Sequence, residues 1–209
     1  RAREIVHSGG IGDLLFVSGL FASMVESFLR SRPGDYRSVF DYPVTGPEPN
    51  TYSDPRIAGG GQGQTQISHA MGMVFWVTGL RATEVFAYMA SFDLRVDLVD
   101  AISYRLDNGA IGTMGATGSL VIDQDMNEEF RYYGTSGQIR QDIIHGKSDA
   151  IYNDGTSEAL PDLSEDDIYP MHLPSRTLAD LTWGEGENLA PGRVAARTVD
   201  LLEAAYRSA

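Results

Sequence analysis

The sequence predicts an α+β domain, with one large, mostly antiparallel or mixed β-sheet, helices on one face and the other face open. Three observations predict it. Short β-rich segments follow one another from residue 84 to residue 144, separated by turn signals and not by helices. Two helical segments with apolar stripes, one within 57–80 and one over 191–208, flank that run. The strand segments also carry apolar side chains on both faces, more than a sheet covered on one side needs.

Taken in order, residues 1–8 read as the end of a linking helix that stops at Gly9-Gly10. The chain opens without Met, as RAREIVHSGG, so a longer protein is expected. Asp13 to Met24 is β-rich enough for a strand. Ser31 to Arg56, with Pro33, Pro43, Pro47, Pro49 and Pro55, reads as a long irregular loop of a kind often tied to function. The segment after it reads as a helix to about Thr78. Strands are expected over Glu84–Ala90, Leu98–Leu106, Ala110–Val121, Phe130–Tyr133 and Ile139–Ile144. Asp107-Asn108-Gly109 supplies a hairpin turn, because Asn and Gly accept positive φ, and Gly134-Thr135-Ser136-Gly137 supplies a second. Asp154 to Asp167 is acidic and reads as a solvated loop; it lacks the regular ligand spacing of a calcium site. In the closing helix Ala195, Thr198, Val199, Leu202, Ala205 and Tyr206 are expected to share the buried face.

Composition narrows the function. The 209 residues are enough to bury a real core, and 42% hydrophobic with 22% charged is an ordinary globular balance. Sixteen Lys plus Arg against 29 Asp plus Glu give a net charge of -13, which disfavours nucleic acid and anionic membrane surfaces. There is no Cys, so disulfides and thiolate metal sites are excluded. No apolar run reaches the roughly 20 residues that span a bilayer. A cytoplasmic location is expected.

The stretch IAGGGQGQTQISHAMGMVFWVTGL, Ile57–Leu80, holds the candidate chemistry. Gly59-Gly60-Gly61 precedes a helix, but no strand precedes the glycines and no Lys follows, so a phosphate cradle is a weak reading. Gly9-Gly10-Ile11-Gly12 has the order reversed, helix before strand. No metal site is expected: His69 stands alone, without a carboxylate within a helical turn, and sequence does not show whether His7, His145 and His172 converge. At about 100° per residue, Ile67, Met71, Val74 and Thr78 form a core stripe flanked by Ala70 and Phe75. Thr65, His69, Gly72 and Trp76 fall opposite. That outward face is either a plain surface or interface, or a catalytic face awaiting a partner domain. Met71, Met73 and Met89 read as core filler. Trp183, near Gly184 and Gly186, reads as packing more than as the far wall of a pocket.

GGGQGQTQISHAMGMVFWVTG resembles the segment that opens the C-terminal domain of the Gfo/Idh/MocA oxidoreductases, where glycines and a spacer lead to Asp-x-Gly-x-His and an apolar helix. RAREIVHSGGIGDLLFVSG, ATEVFAYM, ISYRLDNGAIGTM, YYGTSGQIRQDI and DLLEAAYRSA resemble, in order, that domain's entering helix and first strand, its next strand, its hairpin, a strand pair and its closing helix. The resemblance implies that residues 1–209 are a C-terminal substrate-binding and oligomerisation domain. It implies a preceding Rossmann domain that binds NAD or NADP and ends in a Lys, usually in Glu-Lys-Pro; this chain contains neither, so alone it is expected to be inactive and to bind no cofactor. The family His falls on His69, the family Asp on Thr65 and the family Gly on Ile67. His69 is then the proton-transfer residue, alone or with a Lys of the preceding domain, and Thr65 a hydroxyl partner in place of a carboxylate. Gln62, Gln64 and Gln66 offer amides to a sugar, inositol or related polyol, with Tyr52, Asp54, Arg56 and Trp76 as further substrate contacts. For Tyr52, Asp54 and Arg56, a turn and a salt bridge fixing the loop is an equal alternative. The resemblance also implies dimers or tetramers built sheet to sheet. The rival class is a non-catalytic relative, a ligand sensor, regulatory subunit or assembly module, favoured by Thr65 in place of Asp.

Overall fold

Alternating inward and outward side chains order the sheet. The computed structural model describes residues 1–39, 48 and 50–209, and Pro43, Pro47 and Pro49 of the predicted loop lie outside the described residues. Eight strands form one open sheet: β1 (Leu14–Ala22), β2 (Ala82–Ala90), β3 (Val99–Leu106), β4 (Ile111–Thr117), β5 (Asn127–Gly134), β6 (Gly137–Asp142), β7 (Lys147–Tyr152) and β8 (Ser157–Ala159). Their spatial order is β2-β3-β4-β1-β5-β6-β7-β8. Only β1 and β4 run parallel; the other neighbours are antiparallel. The sheet is therefore mixed and mostly antiparallel, within the predicted class.

Register lines up one buried row across the sheet. Tyr104 pairs with Gly112, Gly112 with Val17, Val17 with Tyr132 and Tyr132 with Ile139. Gly112 is required there, since a Cβ would stand 2.1 Å from the Tyr104 ring. Three helices cover this face: α1 (Ala2–His7), α4 (Ser68–Thr78) and α7 (Gly192–Ser208). Met71, Val74 and Phe75 of α4 share one core with Ile102, Met114, Phe130 and Leu202. Burying each such side chain contributes about 1.5–3 kcal/mol. The opposite face is uncovered: Phe86 and Tyr88 of β2, Ile111 of β4 and Leu20 of β1 are exposed.

Several expectations need correction. The expected loop Ser31–Arg56 holds a 3-10 turn at Pro33–Ser38 and runs into a short helix, α3 (Pro55–Ala58), and a short helix that was not expected, α2 (Glu26–Leu29), precedes it. The acidic segment 154–167 is not one loop; it holds β8 and α5 (Glu165–Ile168). Strand β7 and helix α6 (Leu173–Thr182) were not expected. Polar Ser148 and Asp149 break the β7 signal. In α7 the buried row is Thr198, Leu201, Leu202 and Ala205, with Val194 packed beside it, while Ala195 and Val199 are exposed. The bulky pair Leu201-Leu202 turns the helix so that it fills the space over β2 and α4, rotating the smaller side chains outward. Trp183 is 74% exposed, contrary to its packing reading.

Candidate active site

The site helix begins in the glycine run, and the structure gives those glycines a packing role. Asp97, in the connection between β2 and β3, aims its carboxylate at the start of the helix. One oxygen accepts the Gly61 N–H and the other the Gly63 N–H, each at 2.7 Å. Its carbonyl accepts the Gln62 N–H at 2.9 Å. The Tyr206 hydroxyl, from α7, donates to the same carboxylate at 2.8 Å. A Cβ on Gly61 would stand 1.9 Å from the Asp97 carbonyl oxygen, and one on Gly60 2.0 Å from the Tyr206 hydroxyl. Only glycine lets these groups come so close.

The first turn, Gly63–Ile67, is π-helical before it tightens into α4. Here the Thr65 hydroxyl donates to the Gly61 carbonyl at 2.8 Å. Its lone pairs remain to accept a hydrogen bond, but its proton is engaged. The predicted faces of α4 hold: Ile67, Ala70, Met71, Val74 and Phe75 are fully buried, whereas His69 is exposed and Thr65, Gly72 and Trp76 are half-buried. Among the described residues no hydrogen bond or ion pair holds the His69 ring. Thr65 and His69 are one turn apart, so a hydroxyl-bearing ligand laid along this face meets an imidazole and a hydroxyl oxygen together.

A sequence model of the GFO/IDH/MocA C-terminal domain matches residues 1–140. The chain belongs to the GFO/IDH/MocA family. No curated protein sequence matches it closely enough to add to that. Among solved structures, the aldose-aldose oxidoreductase of Caulobacter crescentus with glycerol is similar at a TM-score of 0.69 and 17% identity, over 99% of this chain and 56% of that one. Levoglucosan dehydrogenase with NADH and levoglucosan matches at 0.68 and 18%, over 100% and 60%. GenD2 from gentamicin A biosynthesis, in complex with NAD, matches at 0.69 and 20%, over 100% and 57%. At these identities the likeness shows the fold. The chain spans 56–60% of the length of these structures.

The GFO/IDH/MocA domain seen here does not itself fit the phosphates of a dinucleotide. The N–H groups of Gly61 and Gly63 are spent on a carboxylate, which would repel a pyrophosphate. In the other glycine run, the N–H groups of Gly9, Gly10 and Gly12 bond to Val6, Ile5 and Gly9 carbonyls. Among the described residues no group of three or more His, Cys, Asp or Glu could hold a metal ion, and no helix is long and apolar enough to cross a membrane.

The remaining substrate candidates scatter. Gln62 is fully buried; its amide nitrogen reaches the Phe21 carbonyl at 3.5 Å and its oxygen has no partner. It is a correction to the expected substrate set: Gln62 precedes the wide turn, its N–H is held by the Asp97 carbonyl and its side chain lies against Phe21 and Gly118 on the sheet side. Gln64 and Gln66, within the turn, are half-buried. Asp54 caps α3, accepting the Arg56 N–H, and pairs with Arg56 at 3.0 Å and Arg95 at 3.3 Å. Hydrogen bonds from Arg56 hold its carboxyl down to about 2. Asp54 and Arg56 thus fix the loop, the alternative the sequence left open. Tyr52 stands edge-on to Phe28, ring centroids 6.0 Å apart. One face of Trp76 is taken by Arg3, whose guanidinium lies 3.8 Å from the ring centroid. Trp76 also lies about 10 Å along the helix from His69, so it is no floor for a pocket centred there.

Two buried acids lie behind the site. Asp100, on the inner face of β3, is 2% exposed and its carboxyl lies beside that of Asp97. Burial, then the charge of Asp97, pushes its carboxyl up to about 9. Burial alone pushes Glu128 of β5 up to about 7. Tyr206 is pushed above the usual phenol range by burial and by Asp97, so it stays a donor. Sequence reasoning missed Asp97 and its partnership with Tyr206; the consecutive glycines were the available signal that something approaches the helix start closely.

Proposed function

We propose that this chain is the substrate and oligomerisation domain of an NAD(P)-dependent oxidoreductase. The reaction is reversible hydride exchange between a hydroxyl carbon of a sugar, inositol or related polyol and a nicotinamide held outside this chain. The similar structures carry such ligands: glycerol in one, levoglucosan in another, NAD or NADH in two. The observation that carries the reading is His69, exposed on the outward face of a helix whose other face is locked into the core. As a carbinol is oxidised its hydroxyl proton must leave; the His69 imidazole accepts it and returns it in the reverse direction. Thr65 accepts a hydrogen bond from a neighbouring substrate hydroxyl, since its own proton is bound to Gly61. The uncovered sheet face, with Phe86, Tyr88, Ile111 and Leu20, joins copies of the chain.

The engaged Thr65 proton favours one rival, a non-catalytic relative that binds a polyol without turning it over. His69→Ala in the full-length protein separates the two. Turnover of sugars and polyols, followed as nicotinamide reduction, is expected to fall about 10²- to 10⁴-fold while the fold persists. Undiminished turnover removes His69 from the chemistry, and a parent without turnover on any polyol that it binds supports the rival.

A further inference from the structure

We propose that Asp97 is the positioning residue of this site, braced by Tyr206, and that it sets the place of Thr65 and, through it, of His69. The proposal rests on the proton-transfer reading of His69.

The site helix has no cap of its own: neither Gln62 before the π-turn nor Ile67 before α4 makes a capping side-chain bond. A helix start leaves N–H groups without partners. Here the partner comes from further along the chain: Asp97 lies 36 residues after Gly61 and 34 after Gly63, and its two oxygens take one N–H each. The carboxylate is 5% exposed, and a third donor, Tyr206, fixes it from α7. With the Asp97 carbonyl on Gln62, three consecutive backbone N–H groups are held by one residue.

The connection to the chemistry is short. Both the N–H and the hydroxyl of Thr65 bond to the Gly61 carbonyl, at 2.9 and 2.8 Å. Gly61 is therefore gripped by Asp97 on its N–H and grips Thr65 with its carbonyl. A shift of Gly61 is passed to Thr65 directly and to His69 one turn later. Displacements near 1 Å at a reacting group can cost about 10²-fold in rate. Glycine is what permits this grip, because side chains at 60, 61 and 63 would collide with Tyr206 or Asp97.

The test compares four variants of the full-length protein: Asp97→Asn, Tyr206→Phe, His69→Ala and Ile139→Val. Asp97→Asn keeps the size but turns an amide donor towards one of the two N–H groups. It is expected to lower kcat about 10-fold or more and to speed amide exchange at Gly61 and Gly63. Tyr206→Phe keeps the ring packing and is expected to show the same changes more weakly. Ile139→Val loosens the core at a fully buried position of β6 and is expected to keep the parental kcat. A parental kcat in Asp97→Asn, with His69→Ala inactive, overturns the positioning role and leaves the reading of His69 standing. An active His69→Ala overturns both. Should Asp97→Asn fail to fold, Tyr206→Phe decides: parental kcat and unchanged exchange at Gly61 overturn the proposal.

Discussion

Replacing Asp100 by Asn should stabilise the protein, and the gain should depend on pH. In the folded chain this carboxyl is buried beside the charged Asp97 and holds its proton up to about pH 9, whereas the unfolded group releases it near 3.8. Above pH 4 the unfolded chain is therefore favoured by ionisation that the folded chain refuses. At pH 7 the penalty is about 4 kcal/mol, 1.36 kcal/mol for each of the roughly three pH units involved. Asn is neutral in both states and escapes it. Part of the gain is returned, because the Asp100 proton can serve the neighbouring Asp97 carboxylate and an amide that fails to replace it costs about 1–3 kcal/mol. A net stabilisation of about 1–3 kcal/mol at pH 7 follows, or about 2–4 °C in Tm for each kcal/mol in a chain of this length. Urea unfolding followed by circular dichroism at several pH values measures it. The advantage of the variant should grow with pH between 4 and 9, and below pH 4, where only the amide cost remains, the variant should be the less stable of the two. A variant less stable than the parent at pH 7, or a gap that ignores pH, refutes the account of a proton held by burial.

Two further outcomes follow from the same geometry. Asp54→Ala should lower the unfolding midpoint at neutral pH, since Asp54 caps α3 and pairs with Arg56 and Arg95; because its carboxyl is held down to about 2, the difference should shrink as pH falls from 4 towards 2, and thermal melts across that range decide it. Tyr88→Lys, on the uncovered sheet face where Tyr88 meets Phe86 edge-on at 5.1 Å, should shift the chain from dimer or tetramer towards monomer in sedimentation equilibrium; a parent already at 22.8 kDa excludes the oligomerisation role.

Much of this molecule was legible in the sequence because its signals are local. Asn108-Gly109 dictates a hairpin by backbone sterics, and the hairpin places β3 beside β4 in antiparallel register. The 3.6-residue period of Ile67, Met71, Val74 and Thr78 fixes which side of the site helix is buried, and so leaves His69 outside. Where such signals are weak the sequence was silent or misleading. Polar β7 has no alternating pattern, and in α7 a period alone could not tell the row of Leu201 and Leu202 from that of Ala195 and Val199. Gln62 looked like its neighbours Gln64 and Gln66, yet it precedes their turn and is held against the sheet by Asp97 and Phe21.

The sequence by itself determined the α+β class, the outward placing of His69 and the lack of a dinucleotide fingerprint, all consequences of spacing within a few residues. Only the tertiary structure decided why three glycines open the site helix. Asp97 and Tyr206 reach them from the β2–β3 connection and from α7, which lie far along the chain. A hydrogen bond between residues distant in sequence leaves no period to read, because it is specified by how the sheet and helices pack and not by any one stretch of the chain.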